Sequence, residues 1–190
     1  MDFTQLFLEG VKNISWFEEG LSIVKSNSTA RIWLIGGAVY RSIIEQLYGT
    51  PMPEKTDLDF IVEKAAEKLT LPEGWEEKRT RFGSPRLVSG KKQIDFVPLA
   101  KINLMANRSV EHTIEAYLAV TSLNIHSIAY DIHADKVIGG KGIDSILRRI
   151  VEVNDCEVAE YTAKANGKTV EEMIKKKAES IGFTPIYPVK

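Results

Sequence analysis

Residues 31–62, RIWLIGGAVYRSIIEQLYGTPMPEKTDLDFIV, decide the fold class. RIWLI is a short β-rich run closed by Gly36 and Gly37. Val39, Ile43, Ile44 and Leu47 then recur at helical spacing, so the stretch reads as strand, tight turn, helix. Pro51 and Pro53 forbid continuation of that helix, because proline has no N–H to donate and its ring clashes with the preceding turn. The next strand runs from Leu58 to Val62, and its two-residue period places Asp57 and Asp59 together on one face. A strand, helix, strand unit brings the glycine pair and the acid pair to the same end of a sheet.

Working outward, Arg86 to Leu99 holds two β-like pieces, RLV and QIDFVPL, with SGKK between them as a hairpin turn. Residues 63–74 are a short helical or irregular connection ending at Pro72 and Gly74. Before the deciding stretch, Phe3, Leu6, Phe7, Val11, Ile14, Phe17, Leu21 and Val24 keep helical spacing over residues 3–24, with Gly10 and Gly20 as possible interruptions. Residues 109–119 form a helix with Val110, Ile114 and Leu118 on one face, and 123–138 is a mixed pattern. GGKGI at 139–143 reads as a turn, followed by short helices opening near 143, 155 and 170. The expected organisation is an α/β core over 31–151 with helical extensions at 1–30 and 152–190.

Two carboxylates on one strand face repel unless a cation sits between them, and Asp oxygens suit Mg²⁺ or Mn²⁺ better than zinc. The alternative is a polar strand end facing water. Asp95 adds a third acid inside an apolar strand, where an ionised carboxylate needs a metal or a partner, the latter being a lysine or arginine of the hairpin. Three acids on neighbouring strands can hold two divalent ions about 4 Å apart for phosphoryl chemistry. Gly36 and Gly37 let the backbone approach a ligand closely and lead into a helix N-terminus whose free N–H groups attract phosphate. They are neither a P-loop nor a dinucleotide fingerprint.

GGAVYRSI, TDLDF and FGSPRLVSGKKQIDFV together resemble the head domain of nucleotidyltransferases of the poly(A) polymerase and CCA-adding class, and the resemblance continues through SLNIHSIAYDI and VIGGKGIDSILRRIV to cover residues 31–151. It implies a small mixed sheet packed against helices, with Gly36 and Gly37 at the nucleotide phosphates. Asp57, Asp59 and Asp95 are then the metal-binding catalytic acids, Mg²⁺ or Mn²⁺ the cofactor, and a nucleoside triphosphate the substrate. The chain departs from the pattern at two places. Tyr40 and Arg41 stand where the family has Arg-Asp, and Val120, Thr121 and Ser122 stand where it has Arg-Arg-Asp. Arg41 is the candidate for the missing positive charge, with Lys91, Lys92, Arg81 and Arg86 as others. The sequence also has no room for the neck, body and tail that hold an RNA end.

The implied reaction moves a nucleoside monophosphate to an acceptor hydroxyl on an RNA, a small compound or a protein. The rival is an inactive module of the same fold binding nucleotide, RNA or a protein; a metal-dependent phosphodiesterase or nuclease is a third class. A formal net charge of -1 over 190 residues argues against a wholly basic surface for duplex nucleic acid. The single cysteine, Cys156, excludes an intrachain disulfide and fits a cytoplasmic protein, and no apolar run approaches a membrane span. His112, His126 and His133 lack compact ligand spacing. Lys175, Lys176 and Lys177 read as a solvated helix face, Trp33 and Tyr130 as packing residues, and Trp75 as either a core residue or a base-stacking platform.

Overall fold

The computed structural model describes residues 1–80, 83–102 and 111–188. It divides into two compact units, one of residues 1–102 and 129–137 and the other of residues 103–128 and 138–190. The first unit holds helices α1 (Phe3–Gly10), α2 (Phe17–Ser26) and α3 (Gly37–Tyr48). Its strands are β1 (Ile32–Ile35), β2 (Leu58–Val62), β3 (Glu76–Arg79), β4 (Pro85–Ser89), β5 (Lys92–Pro98), β6 (Ala129–Asp131) and β7 (Lys136–Ile138).

These strands form a seven-stranded sheet in the order β3-β4-β5-β2-β1-β6-β7. The β2–β5 pair is parallel, whereas β1–β2, β1–β6, β3–β4 and β4–β5 are antiparallel. In β2 Leu58, Phe60, Ile61 and Val62 are all buried and only Asp59 is half-buried, so the expected alternation fails at Ile61; Ile94 and Phe96 of β5 and Leu87 of β4 are fully buried too. Together with Phe7, Val24, Ile43 and Ile44 from the helices they make the core. The chain is therefore a mixed α/β protein.

Helices α1 and α2 belong to the same unit as the sheet. Gly10 ends α1, as an expected interruption, whereas Gly20 lies within α2, and both are packing positions. A Cβ on Gly10 would lie 2.3 Å from the Ser42 carbonyl oxygen of α3, and one on Gly20 would lie 2.6 Å from Leu58 Cδ1. Only a residue without a side chain lets these helices come so close. Strand β3 was not expected from its sequence, EEKR, which is exposed along its whole length at the sheet edge; charged residues there blunt an edge that would otherwise template further pairing.

The second unit contains α4 (Ile114–Ala119), α5 (Gly140–Arg148), α6 (Cys156–Ala165) and α7 (Val170–Glu179), with a short parallel pair of β8 (Ile150–Val151) and β9 (Thr184–Pro185). Val110, placed by its spacing on the helix that precedes Val120, lies outside the described residues. The GGKGI segment is not a free turn, because α5 already begins at Gly140; a Cβ at Gly142 would lie 2.7 Å from the Ser127 carbonyl oxygen. Capping sets the helix starts: Thr113 accepts from Ala116 N–H, Asp155 from Val158 N–H, and Thr169 with Glu172 closes a capping box on α7.

Candidate active site

The antiparallel register of β1 and β2 sets Ile35 opposite Asp59, so Gly36, the next residue, turns directly beside the acid pair. Gly36 has φ +69 and ψ -142, a combination that carries a large steric penalty for any residue with a Cβ. A Cβ there would also stand 3.0 Å from Asp59 Oδ2, so the turn is shaped as a cradle against this carboxylate. Helix α3 starts at Gly37 with no side-chain cap. The Val39 and Tyr40 N–H groups donate to the Gly36 carbonyl at 3.2 and 3.3 Å, and a glycine cap leaves the helix start open to approach.

Asp59 is aligned with Asp95 on the parallel strand β5, and Asp95 with Arg86 on the antiparallel strand β4. Register partners point to the same face, so Arg86, Asp95 and Asp59 form one row across the sheet. Arg86 holds Asp95 by a two-bond fork: Nε donates to Oδ1 at 2.7 Å and a terminal nitrogen donates to Oδ2 at 2.6 Å. The hydrogen bond to Asp95 raises the Arg86 pKa above its ordinary value, against the opposing effect of burial, and the fields of Asp95, Asp57 and Asp59 add to it. The three acids and this guanidinium are thus one electrostatic cluster.

Asp57 lies two residues before Asp59. Gln93 Nε2 donates to its Oδ2 at 3.2 Å, while Oδ1 is buried and makes no hydrogen bond. The Lys55 ammonium stands 3.8 Å from Oδ1. A buried carboxylate oxygen without a hydrogen bond is costly in a folded protein and calls for a partner. Among the described residues no group of three or more His, Cys, Asp or Glu side chains is set to hold a metal ion. What the geometry offers is a pair, Asp57 and Asp59, with the third acid already engaged by arginine. A pair fits Mg²⁺, which keeps several waters and is commonly held by one or two carboxylates plus substrate phosphates.

The other positions singled out by sequence fall as follows. Arg41 lies on α3 with its guanidinium 5.7 Å from the centroid of the Tyr40 ring. Lys91 pairs with Glu54 at 2.9 Å and Lys92 with Glu19 at 2.5 Å, whereas Arg81 lies outside the described residues. Trp75 is a core residue rather than a stacking platform: it is buried, its indole N–H donates to Glu19 at 2.9 Å, and its ring centroid is 6.2 Å from that of Trp16. Trp33 and Tyr130 are buried, as expected. Thr121 and Ser122 are buried, and Asn154 donates to both the Thr121 carbonyl and its hydroxyl, so this segment is built into its own unit's interior. His126 is half-buried beside Ser122, and burial followed by the charge of Lys177 pushes its pKa down to about 3. Cys156 is exposed at the start of α6.

Sequence reasoning named Arg86 only as one of several cations and passed over Gln93. The signal was present, since pairing outward from the SGKK turn sets Val88 against Gln93 and Arg86 against Asp95.

Several solved structures are similar to this chain at low sequence identity. A solved structure described as a tRNA-processing enzyme in apo form I matches with a TM-score of 0.48 and 16% identity over 88% of this chain and 48% of its own. A tRNA nucleotidyltransferase complexed with a primer tRNA and an incoming ATP analog matches at 0.44 and 16%, over 80% of this chain and 47% of its own. A tRNA-processing enzyme with CTP matches at 0.45 and 18%, over 80% and 44%. The chain spans about half the length of these structures. No family model matches the sequence, and no curated protein matches it. Among the described residues no helix is long and apolar enough to cross a membrane.

Proposed function

We propose that this chain is a cytoplasmic, divalent-cation-dependent nucleotidyltransferase that moves a nucleoside monophosphate from a nucleoside triphosphate to an acceptor hydroxyl. The observation that carries the reading is the Asp57 and Asp59 pair beside the Gly36 turn, with a buried Asp57 oxygen that lacks a hydrogen bond. Asp57 and Asp59 would hold Mg²⁺ or Mn²⁺, and Asp95 is the third acid of the cluster. When bound, such an ion polarises phosphoryl oxygens and lowers the pKa of an oxygen ligand.

The chain's own groups have separable tasks. The Gly36–Gly37 backbone and the α3 N-terminus receive phosphate oxygens, since a main chain without a Cβ admits them closely. Arg41, one turn into the same helix, supplies a positive charge on the phosphate side. Gln93 and Lys55 orient Asp57 from two directions. Asp95 fixes Arg86 within the cluster. Phosphoryl transfer draws most of its rate from such positioning and charge stabilisation.

A second reading is favoured by two observations. Asp95 is closed by Arg86, and Thr121 and Ser122 are buried, so the fold could serve as a nucleotide-binding module without chemistry. Labelled nucleoside triphosphate, Mg²⁺ and a panel of RNA, small hydroxyl and protein acceptors separate the two. Covalent label on an acceptor, lost in Asp57→Asn and in Asp59→Asn, supports the transferase. Stoichiometric triphosphate binding with no product across the panel supports the module.

A further inference from the structure

We propose that Arg86 takes the place of a second divalent cation, so that the site works with one metal ion, held by Asp57 and Asp59. This deepens the transferase reading and rests on it. Two-ion phosphoryl chemistry needs carboxylate oxygens that face both ions. Here both oxygens of Asp95 are committed to one guanidinium, at 2.7 and 2.6 Å. A planar fork of this kind is the strongest pairing that arginine makes with a carboxylate.

Three features keep the guanidinium in place. The β4–β5 register sets Arg86 directly across from Asp95, so the pair forms without reaching. The β2–β5 register then sets Asp95 beside Asp59, and the positive charge on the other side of Asp95 offsets the repulsion between the two neighbouring carboxylates. Burial is moderate, with 35% of the Arg86 side chain and 18% of the Asp95 side chain exposed, so the pair keeps much of its Coulomb attraction.

Charge balance leads to the same count. Three carboxylates with Arg86 and Lys55 leave the cluster one net negative charge. One dication turns that into a single positive charge suited to an entering triphosphate. A second dication would sit against the Arg86 guanidinium, and like charges at this range repel. The fork to Asp95 uses two of the N–H donors of Arg86, and the others can serve a phosphate oxygen. The ligand class is accordingly a nucleoside triphosphate carried with one divalent ion.

The test counts Mn²⁺ on the full chain by electron paramagnetic resonance of the free ion, with circular dichroism as the check on folding. Wild type, Arg86→Lys and Asp95→Asn should each bind one Mn²⁺, the first two because a positive charge stays beside Asp95, the third because the Asp57 and Asp59 pair survives. Arg86→Met should bind two, and its affinity for a non-hydrolysable ATP analogue in the presence of one equivalent of Mn²⁺ should fall about tenfold. Two ions on wild type, or one ion on both wild type and a folded Arg86→Met, overturn the inference and leave the transferase reading standing. If Arg86→Met does not fold, two ions on Arg86→Lys or none on Asp95→Asn overturn it equally. No ion on wild type removes the metal from both readings.

Discussion

Asp131 and Asp57 both belong to the sheet unit, and their surroundings are opposite. Asp131 has a side chain 2% exposed and accepts from Arg31 at 2.6 Å and the Trp33 indole at 2.9 Å, with the His133 and Ala134 N–H groups at 3.0 and 2.9 Å. Burial alone would raise its pKa, but the Ala134 N–H, Arg31, Trp33 and His133 outweigh it and hold the carboxyl below its ordinary value. Asp57 is more exposed, at 36%, yet keeps one buried oxygen without a hydrogen bond. The difference separates a carboxylate that closes a turn from one that keeps an oxygen without a hydrogen bond. Depth of burial does not make the distinction; completeness of hydrogen bonding does.

Removing either acid should therefore act on different observables. Asp57→Asn should lower labelled transfer at least about 1000-fold, roughly 4 kcal/mol of barrier, while the melting temperature stays level or rises because a like-charge contact is relieved. Asp59→Asn should abolish the stabilisation that millimolar Mg²⁺ or Mn²⁺ gives the wild type in thermal melts. Equal transfer rates in mutant and wild type would break the contrast at its functional end.

Asp131→Ala should instead cost about 3 kcal/mol of folding free energy in a urea titration, leaving Arg31 and Trp33 donors without their acceptor, with transfer per folded molecule unchanged. The sign with pH follows from its lowered pKa. The stabilisation is present above the unfolded carboxyl value of about 3.9 and is lost as pH falls through the lower folded value. A melt that is insensitive to this substitution would make Asp131 dispensable and remove the structural side of the comparison.

The glycines sharpen it at smaller scale. Gly36→Ala should cost about 1–2 kcal/mol, because its φ of +69 is disfavoured with a Cβ and Asp59 Oδ2 lies 3.0 Å away. Gly37→Val should stay within about 0.5 kcal/mol, since a Cβ there meets only the Tyr40 hydroxyl at 3.8 Å. It should nonetheless weaken ATP and GTP binding while Mn²⁺ binding holds; isothermal titration of both ligands decides this.

A further effect concerns the acid limb, on which His126 is superimposed. Its folded pKa near 3 lies below the ordinary 6.5, so the unfolded chain binds the proton first and stability falls as pH drops from 6.5 toward 3. His126→Gln should remove this slope, at most about 1.4 kcal/mol per pH unit, and expose the Asp131 titration beneath it. Unchanged curvature in pH-dependent urea melts would show that His126 titrates normally.

Much of the sheet was legible in sequence because its central strands are short apolar runs bounded by turn residues: Leu58–Val62 was located to the residue, and the hairpin around SGKK was placed as observed. Strand β3 was invisible because an exposed edge strand of EEKR has no apolar alternation to read. Trp75 was ambiguous for a related reason, since a tryptophan after a glycine looks the same whether Glu19 and Trp16 await it or a base does. At the site, the residue types and their shared face could be read from spacing, but partner choice could not. Asp95 paired with Arg86 rather than standing open because strand register, a property of two segments, decides what faces a side chain.

Within the seven-stranded sheet, the parallel pairing of β2 with β5 has a consequence for the order of folding. Between the two strands the chain travels to the sheet edge, forms β3 and β4, and returns, so the pairing closes a loop of about thirty residues and carries its entropy cost. The β3–β4–β5 meander is local and can assemble beforehand, and it contains Arg86 and Asp95 together. Asp95 therefore arrives beside Asp59 already neutralised. The two halves of the acid row meet in the last step without the mutual repulsion that would slow it.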